Sequence, residues 1–308
     1  MASPNSNLPK EESRNWLELP RDVTMTILMK LGAIEILDTT QFVCRSWHSL
    51  CKDPSMWRKI DMENIGDPDL REMYEKMTYN AVDRSCGGLV EIHIQYFGND
   101  DLLNFIADRS SRLKSLRLAC CYWITDEGFT EAIKKLPLLE EVELTLCTFS
   151  AEEIKAVGLG CPFLKTFKLN HQGSRDPNFA DDEEALVIAE TMPRLCHLQL
   201  IGNGLTSTGL EAIVNGCRHL ESLDLRACFH VHLAGSLGKR CTEQIKHFRQ
   251  PRDSTDDYKF VTTTDYDSDY ESYDHGIDDI DFLSDDDDYY EFSADSELPD
   301  YEDVFDYD

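Results

Sequence analysis

Three small groups of ligand-type side chains stand out in the 308 residues. Cys228-x-His230-x-His232 would set three donors on one face of a strand, because alternate strand residues share a side. Cys44, His48 and Cys51 would share a helical face, and Asp265-x-Asp267-x-Asp269 has the carboxylate spacing that opens a calcium loop. None of the three completes a site. Both thiol and imidazole groups lack the paired C-x-x-C knuckles of structural zinc. In the acidic run, Tyr270 stands where a calcium loop turns on Gly, and Gly276 stands where a bidentate Glu closes the shell. A Gly-rich phosphate loop and G-x-S-x-G are missing too. The expectation is a chain with no metal, no cofactor and no catalytic residue: a binding protein, not an enzyme.

The cysteines take their meaning from a repeat. L-x-x-L-x-L, with conservative exchanges, begins at Leu89, Leu113, Leu139, Leu164, Leu195 and Leu220, with starts 24, 26, 25, 31 and 25 residues apart. That spacing is in the leucine-rich-repeat range once the fourth unit has a loop insertion, for which His171 to Asp182 is the site. The last two apolar positions of each triplet, such as Leu116 and Leu118, alternate along a short strand and point inward. A helical return follows, supplied by Ile124, Phe129, Ala132 and Ile133 in the second unit and by Leu205, Leu210 and Ile213 in the fifth. A single unit cannot bury its apolar face, so stacking makes the core. About six units then run from 89 to 250.

Cys121, Cys147 and Cys228 lie eight residues after their unit's first Leu, and Cys86, Cys161 and Cys217 three residues before it. A small apolar thiol that accepts weak hydrogen bonds from the turning backbone fits a packing role. The run Leu113 to Gly128 closely follows C-P-x-L-x-x-L-x-L-x-x-C-x-x-I-T-D-x-G and resembles the cysteine-containing leucine-rich-repeat subfamily; Phe97 and Gln172 depart from it in units one and four. Counting from each first Leu, offsets two, four, six and seven are expected on the exposed concave sheet, which makes Arg117, Glu143, Lys168 and Arg226 the candidate contacts for a protein substrate.

Ahead of the repeats, Pro20 sits at a helix start, with Val23, Ile27 and Leu31 as an apolar stripe ended by Gly32. A second stripe is Ile34, Leu37, Val43, Trp47 and Leu50. About 45 residues of three-helix structure are marginal alone, so some of that apolar surface needs a partner. Leu19-Pro20, Ile27-Leu28, Leu31, Val43-Cys44-Arg45-x-Trp47 and Pro54-x-x-Trp57 closely resemble the F-box. Together with Trp57-Arg58-Lys59-Ile60-Asp61-Met62, the A-V-D-R-S run at 81–85 and Phe97-Gly98-x-Asp100-Asp101-Leu102-Leu103, they look like the plant Skp-interacting F-box proteins with leucine-rich repeats, over about residues 15 to 245. The resemblance implies docking on a Skp-family adaptor, and through it on cullin and RING subunits. By matching position it assigns that docking to Leu19, Pro20, Ile27, Leu28, Leu31, Val43 and Trp47, with Trp47 as much a core candidate as a contact.

The fold expected is therefore α/β: a flexible N-terminus at 1–14, an F-box at 15–60, a helical linker at 61–88, a leucine-rich-repeat arc at 89–250 and a disordered acidic tail at 251–308. The formal charge of −29 is concentrated in that tail, where residues 253–308 hold 23 Asp or Glu against the single Lys259. Self-repulsion with little to bury predicts disorder there. No basic footprint for nucleic acid remains, and no apolar stretch reaches the roughly 18 residues of a membrane span. The polar start MASPNSNLPKEESRNW lacks a secretory pattern, so a place in the nucleus or cytoplasm is expected. The function expected is substrate recognition within a Skp-cullin-F-box ubiquitin ligase. An alternative is an acidic leucine-rich nuclear protein whose tail binds histones or other basic proteins.

Overall fold

The computed structural model describes residues 19–260. The expectations for residues 1–14 and for the acidic run from 261 onward, including the Asp265 to Gly276 segment, fall outside the described residues.

Each apolar triplet becomes a strand: β2 (Glu91–Gln95), β3 (Ser115–Ala119), β4 (Glu141–Thr145), β5 (Thr166–Asn170), β6 (His197–Gln199) and β7 (Ser222–Asp224). Two more strands flank them, β1 (Lys59–Met62) and β8 (His247–Arg249), and all eight pair in parallel in chain order. The register keeps equivalent residues side by side, so Ile60, Ile92, Leu116, Val142, Phe167, Leu198, Leu223 and Phe248 form one inward row. The terminal strands obey the same rule with substitutes. Trp57 and Ile245 stand where the first Leu would, and Gln250 takes the last apolar place of the eighth unit. In β2, β4 and β5 the burial alternates between half-exposed and buried until the last residue, which is buried as well.

The returns are α5 (Asp100–Arg109), α6 (Asp126–Lys134), α7 (Ala151–Gly160), α8 (Glu183–Thr191), α9 (Ser207–Gly216) and α10 (Ser236–Gln244). Neighbouring returns are clamped by one device, used twice. The Asp182 carboxylate, just before α8, accepts from the Thr206 amide and hydroxyl (both 2.7 Å) and from the Gly209 amide (3.0 Å) at the start of α9. Asp100 does the same for Thr125 (2.8 and 2.7 Å) ahead of α6. A Cβ on Gly209 would lie 2.3 Å from the Asp182 carboxylate, and one on Gly128 2.1 Å from that of Asp100, so the glycines leave room for the previous unit's clamp. The 171–182 insertion holds one 3-10 turn, Pro177–Phe179.

Five strands, β2, β3, β4, β6 and β7, lead into left-handed residues at offset seven: Tyr96, Cys120, Leu146 and Ala227 have φ between 51 and 64°, and Gly202 has 68°. This turns the chain away while each amide still bonds the next strand's end, as Cys120 does to Thr145 and Leu146 to Asn170 (2.9 and 2.8 Å). The buried thiols pack where the sequence places them. They act as donors, where acceptance is expected from the sequence: Cys121 bonds the Ala119 carbonyl at 3.4 Å and Cys217 that of Met192 at 3.5 Å.

The N-terminal module is α1 (Arg21–Leu28), α2 (Ala33–Asp38) and α3 (Arg45–Cys51), followed by α4 (Arg71–Arg84). It shares one continuous core with the repeats, because Trp57 closes the module and also opens β1. The Trp57 indole donates to the Cys51 carbonyl (2.8 Å), while Arg84 of α4 lies 5.5 Å over its ring and bonds Gln41 (2.9 Å). The module is thereby built into the edge of the sheet.

Candidate functional site

Two surfaces carry the residues singled out from sequence. On the module, α1 turns Thr24 and Leu28 inward, one turn apart, and leaves Val23 and Ile27 on the outer side. The expected Val23, Ile27, Leu31 stripe is therefore not the buried one. Leu28, at 0% exposure, belongs to the core and is removed from the docking set. Pro20 and Val43 are exposed, the latter at 57%, while Leu19, Ile27, Leu31 and Trp47 are half-buried. Leu31 and Trp47 pack partly on the core. Met29, Phe42 and Val23 are exposed apolar residues that the sequence reading missed as surface. Their only signal was position: Met29 follows the last turn of α1, and Phe42 ends a 3-10 turn whose Thr40 and Gln41 are the buried members.

The other surface is the sheet face turned away from the helices. One row across it is Asp61, His93, Arg117, Glu143, Lys168, Gln199, Asp224 and Arg249, in register from β1 to β8. Neighbours about 4.8 Å apart can pair across strands. Lys168 reaches Glu143 (2.8 Å) and Glu141 (3.1 Å), and His93 reaches Asp61 (3.0 Å). Burial alone would lower the Lys168 ammonium, but the two carboxylates outweigh it and hold its pKa above the ordinary value. Glu141 is the mirror case, pushed up by burial and drawn further down by Lys168.

Arg117, Glu143 and Lys168 thus stand together in one half-exposed row, and Arg226 does not. Arg226 is 3% exposed, gripped by Asp224 (2.8 to 3.0 Å) and covered by the chain that follows β8. The residues at offsets six and seven are mostly buried too, Thr145, Asn170 and Ile201 among them, so the open face is limited to offsets two and four.

The cover is residues 251–260, which the sequence assigned to the disordered tail. The Pro251 carbonyl accepts from Ala227 (2.9 Å), and that of Ser254 accepts from Arg226 (3.0 Å). Asp257 pairs with both Arg226 and Arg249, the latter at 2.7 Å, and Lys259 reaches back to Glu63 beyond β1 at 2.7 Å. Between these anchors Tyr258 is sunk beside Thr145, its hydroxyl buried without a hydrogen bond of full geometry, and burial pushes the phenol well above its usual value. Arg249, then Arg226, holds the Asp257 carboxyl below the ordinary range. Opposite charges on the sheet overcome the repulsion that makes an acidic tail expand.

The ligand-type clusters resolve differently. Cys228 is fully buried with its thiol on the Leu200 carbonyl (2.7 Å), and burial raises its pKa. His48 meets the Gln41 carbonyl (3.2 Å), and Cys51 is buried. Among the described residues Asp61, Glu63 and His93 bring ligand atoms within 4.8 Å of one another, but the Lys259 ammonium already sits on Glu63, so the group reads as an ion-pair cluster.

A family model described as F-box-like matches residues 16–63. F-box protein SKIP19 of Arabidopsis thaliana is 54% identical over 310 residues, 99% of each chain. Putative F-box/LRR-repeat protein 22 of the same plant is 46% identical, over 89% of this chain and 91% of its own. Among solved structures, one from the yeast Rad7 and Elc1 complex aligns with a TM-score of 0.43 and 15% identity over 75% of this chain and 69% of that one.

Proposed function

Because the chain belongs to the plant F-box proteins with leucine-rich repeats, we propose that it is the substrate-recognition subunit of a Skp-cullin-F-box ubiquitin ligase, itself non-catalytic, acting in the nucleus or cytoplasm. The observation that carries the reading is the module at the edge of the sheet, which leaves Pro20, Val23, Met29, Phe42 and Val43 exposed while sharing its core with the repeats. Exposed apolar side chains on a small helical unit suit an adaptor's groove, where a few buried anchors supply most of the affinity. Cullin and RING subunits then join through the adaptor. The shared core makes the module and the sheet one rigid piece, so a protein held on the open face is presented at a fixed position relative to the adaptor. That open face, with Arg117, Glu143 and Lys168 in one row, is the substrate-binding surface in this reading.

Capture from plant extract by the full chain tests it against binding of basic proteins. Recovery of a Skp-family adaptor and cullin, lost on Val43→Asp, is the expected result. Core histones without adaptor would overturn it in favour of the acidic-tail alternative.

A further inference from the structure

Residues 254–260 read Ser-Thr-Asp-Asp-Tyr-Lys-Phe, and they lie on the sheet face over Arg226 and Arg249, beside the open row that a substrate would meet. The residues beneath suit them. Arg226, almost wholly buried, is oriented by Asp224 with a second side of its guanidinium turned to Asp257. Thr145, at 0% exposure, floors the place of Tyr258, whose ring meets Phe260 at 5.6 Å between centroids. A planar fork facing a carboxylate, next to a slot that takes a phenol ring, is a recognition site for an acidic residue followed by tyrosine.

Two of the cover's ion pairs, Asp257 with Arg249 and Lys259 with Glu63, are open to water on both sides and contribute little, which leaves the Asp257–Arg226 pair and Tyr258 as its main holds. A tethered segment of this kind occupies its site through high local concentration more than through intrinsic affinity. The Asp224 partner also means that lifting the cover does not strand a bare guanidinium. Those features suit a cover that is exchanged.

We propose that this slot binds an extended acidic-tyrosine segment of a partner protein, and that Asp257-Tyr258 fills it in cis until such a segment displaces it. The proposal rests on the reading of the sheet face as the substrate surface. Its occupant is identified by charge complementarity with Arg226 and Arg249 and by the segment already seated there.

A labelled peptide of sequence Ser-Thr-Asp-Asp-Tyr-Lys-Phe, titrated by fluorescence anisotropy into the full chain and into the double variant Asp257→Lys/Tyr258→Ala, tests it. At least tenfold tighter binding to the variant is expected, with the gain abolished by adding Arg249→Glu. Lys259→Glu alone, at an exposed position opposite Glu63, should raise peptide affinity severalfold, and it serves if the double variant melts early. Peptide affinity no higher in either variant, or equal affinity for a scrambled peptide of the same composition, overturns the slot. Adaptor affinity measured on the same samples is independent: its loss in the unsubstituted chain would defeat the ligase reading, whereas the peptide result speaks for the slot alone.

Discussion

Burial pushes the thiols of Cys147, Cys161 and Cys217 up to about 12, while Cys86 sits exposed in the turn before β2. Only a thiolate attacks an alkylating agent, and access limits the rate further. Brief iodoacetamide treatment at pH 8 should therefore label Cys86 first, with Cys121, Cys147, Cys161, Cys217 and Cys228 silent until the chain is unfolded; early labelling at Cys147 would contradict the packing role. The packing role was legible from register for Cys121, Cys147, Cys161, Cys217 and Cys228, but not for Cys86, which shares the offset of Cys161 and Cys217 yet stands exposed on a left-handed turn after α4. The burial of Arg226 was not legible either, since it depends on Asp257 folding back from beyond β8. Asp257 offers its own test. Its folded pKa lies below 3.8, so its contribution to holding the cover is present above pH 3.8 and is lost as the pH falls through the lowered value. Carboxyl chemical shifts should give Asp257 a midpoint below 3.8, moving up toward the ordinary value in Arg249→Gln, where Arg226 alone still lowers it. A midpoint at or above 3.8 in the unsubstituted chain would mean that the pairing with Arg249 and Arg226 does not hold in solution.

At the scale of elements, the clamp between neighbouring returns explains why Gly recurs at position 128 and position 209. Gly209→Ala would gain up to about 1 kcal/mol of helix propensity. It would also force the Asp182 carboxylate off its three donors, and charge-assisted bonds are worth about 1.5–3 kcal/mol each. Loss wins, and chemical denaturation should show a net cost of about 3.5 kcal/mol or more if all three bonds go; a neutral result would mean that the clamp relaxes without loss. The helical module gives a paired comparison. Leu28→Ala empties a fully buried place and should cost about 2–5 kcal/mol, whereas Val43→Ala on the surface should stay within about 0.5 kcal/mol. Sequence periodicity found α1 but chose its outer stripe, because Thr24 is polar yet buried through a hydroxyl bond to the Pro20 carbonyl (3.2 Å). The terminal strands escaped for a related reason. Trp57 does the work of a first Leu but reads as the end of the helical module, and Gln250 breaks the last triplet.

Over the whole molecule, eight strands, ten helices and the covering segment make one body among the described residues, with the module at one end of the sheet. Repeat number and direction follow from leucine spacing, which local chemistry dictates. The reach of Lys259 to Glu63, 196 positions away, follows only from the stacked fold that brings both ends to one face. In the proposed function the exposed apolar residues of the module dock a Skp-family adaptor, and the sheet face of the same body receives the substrate. Calorimetric titration of the full chain with that adaptor, compared across the unsubstituted chain, Leu19→Ala/Pro20→Ala and Val43→Asp, addresses it directly. A lost interface anchor is worth about 2 kcal/mol or more, so one-to-one binding weakened by about 30-fold or more in the variants, at unchanged melting temperature, is the predicted result. Equal affinity in all three folded proteins, or no binding by the unsubstituted chain, would contradict it.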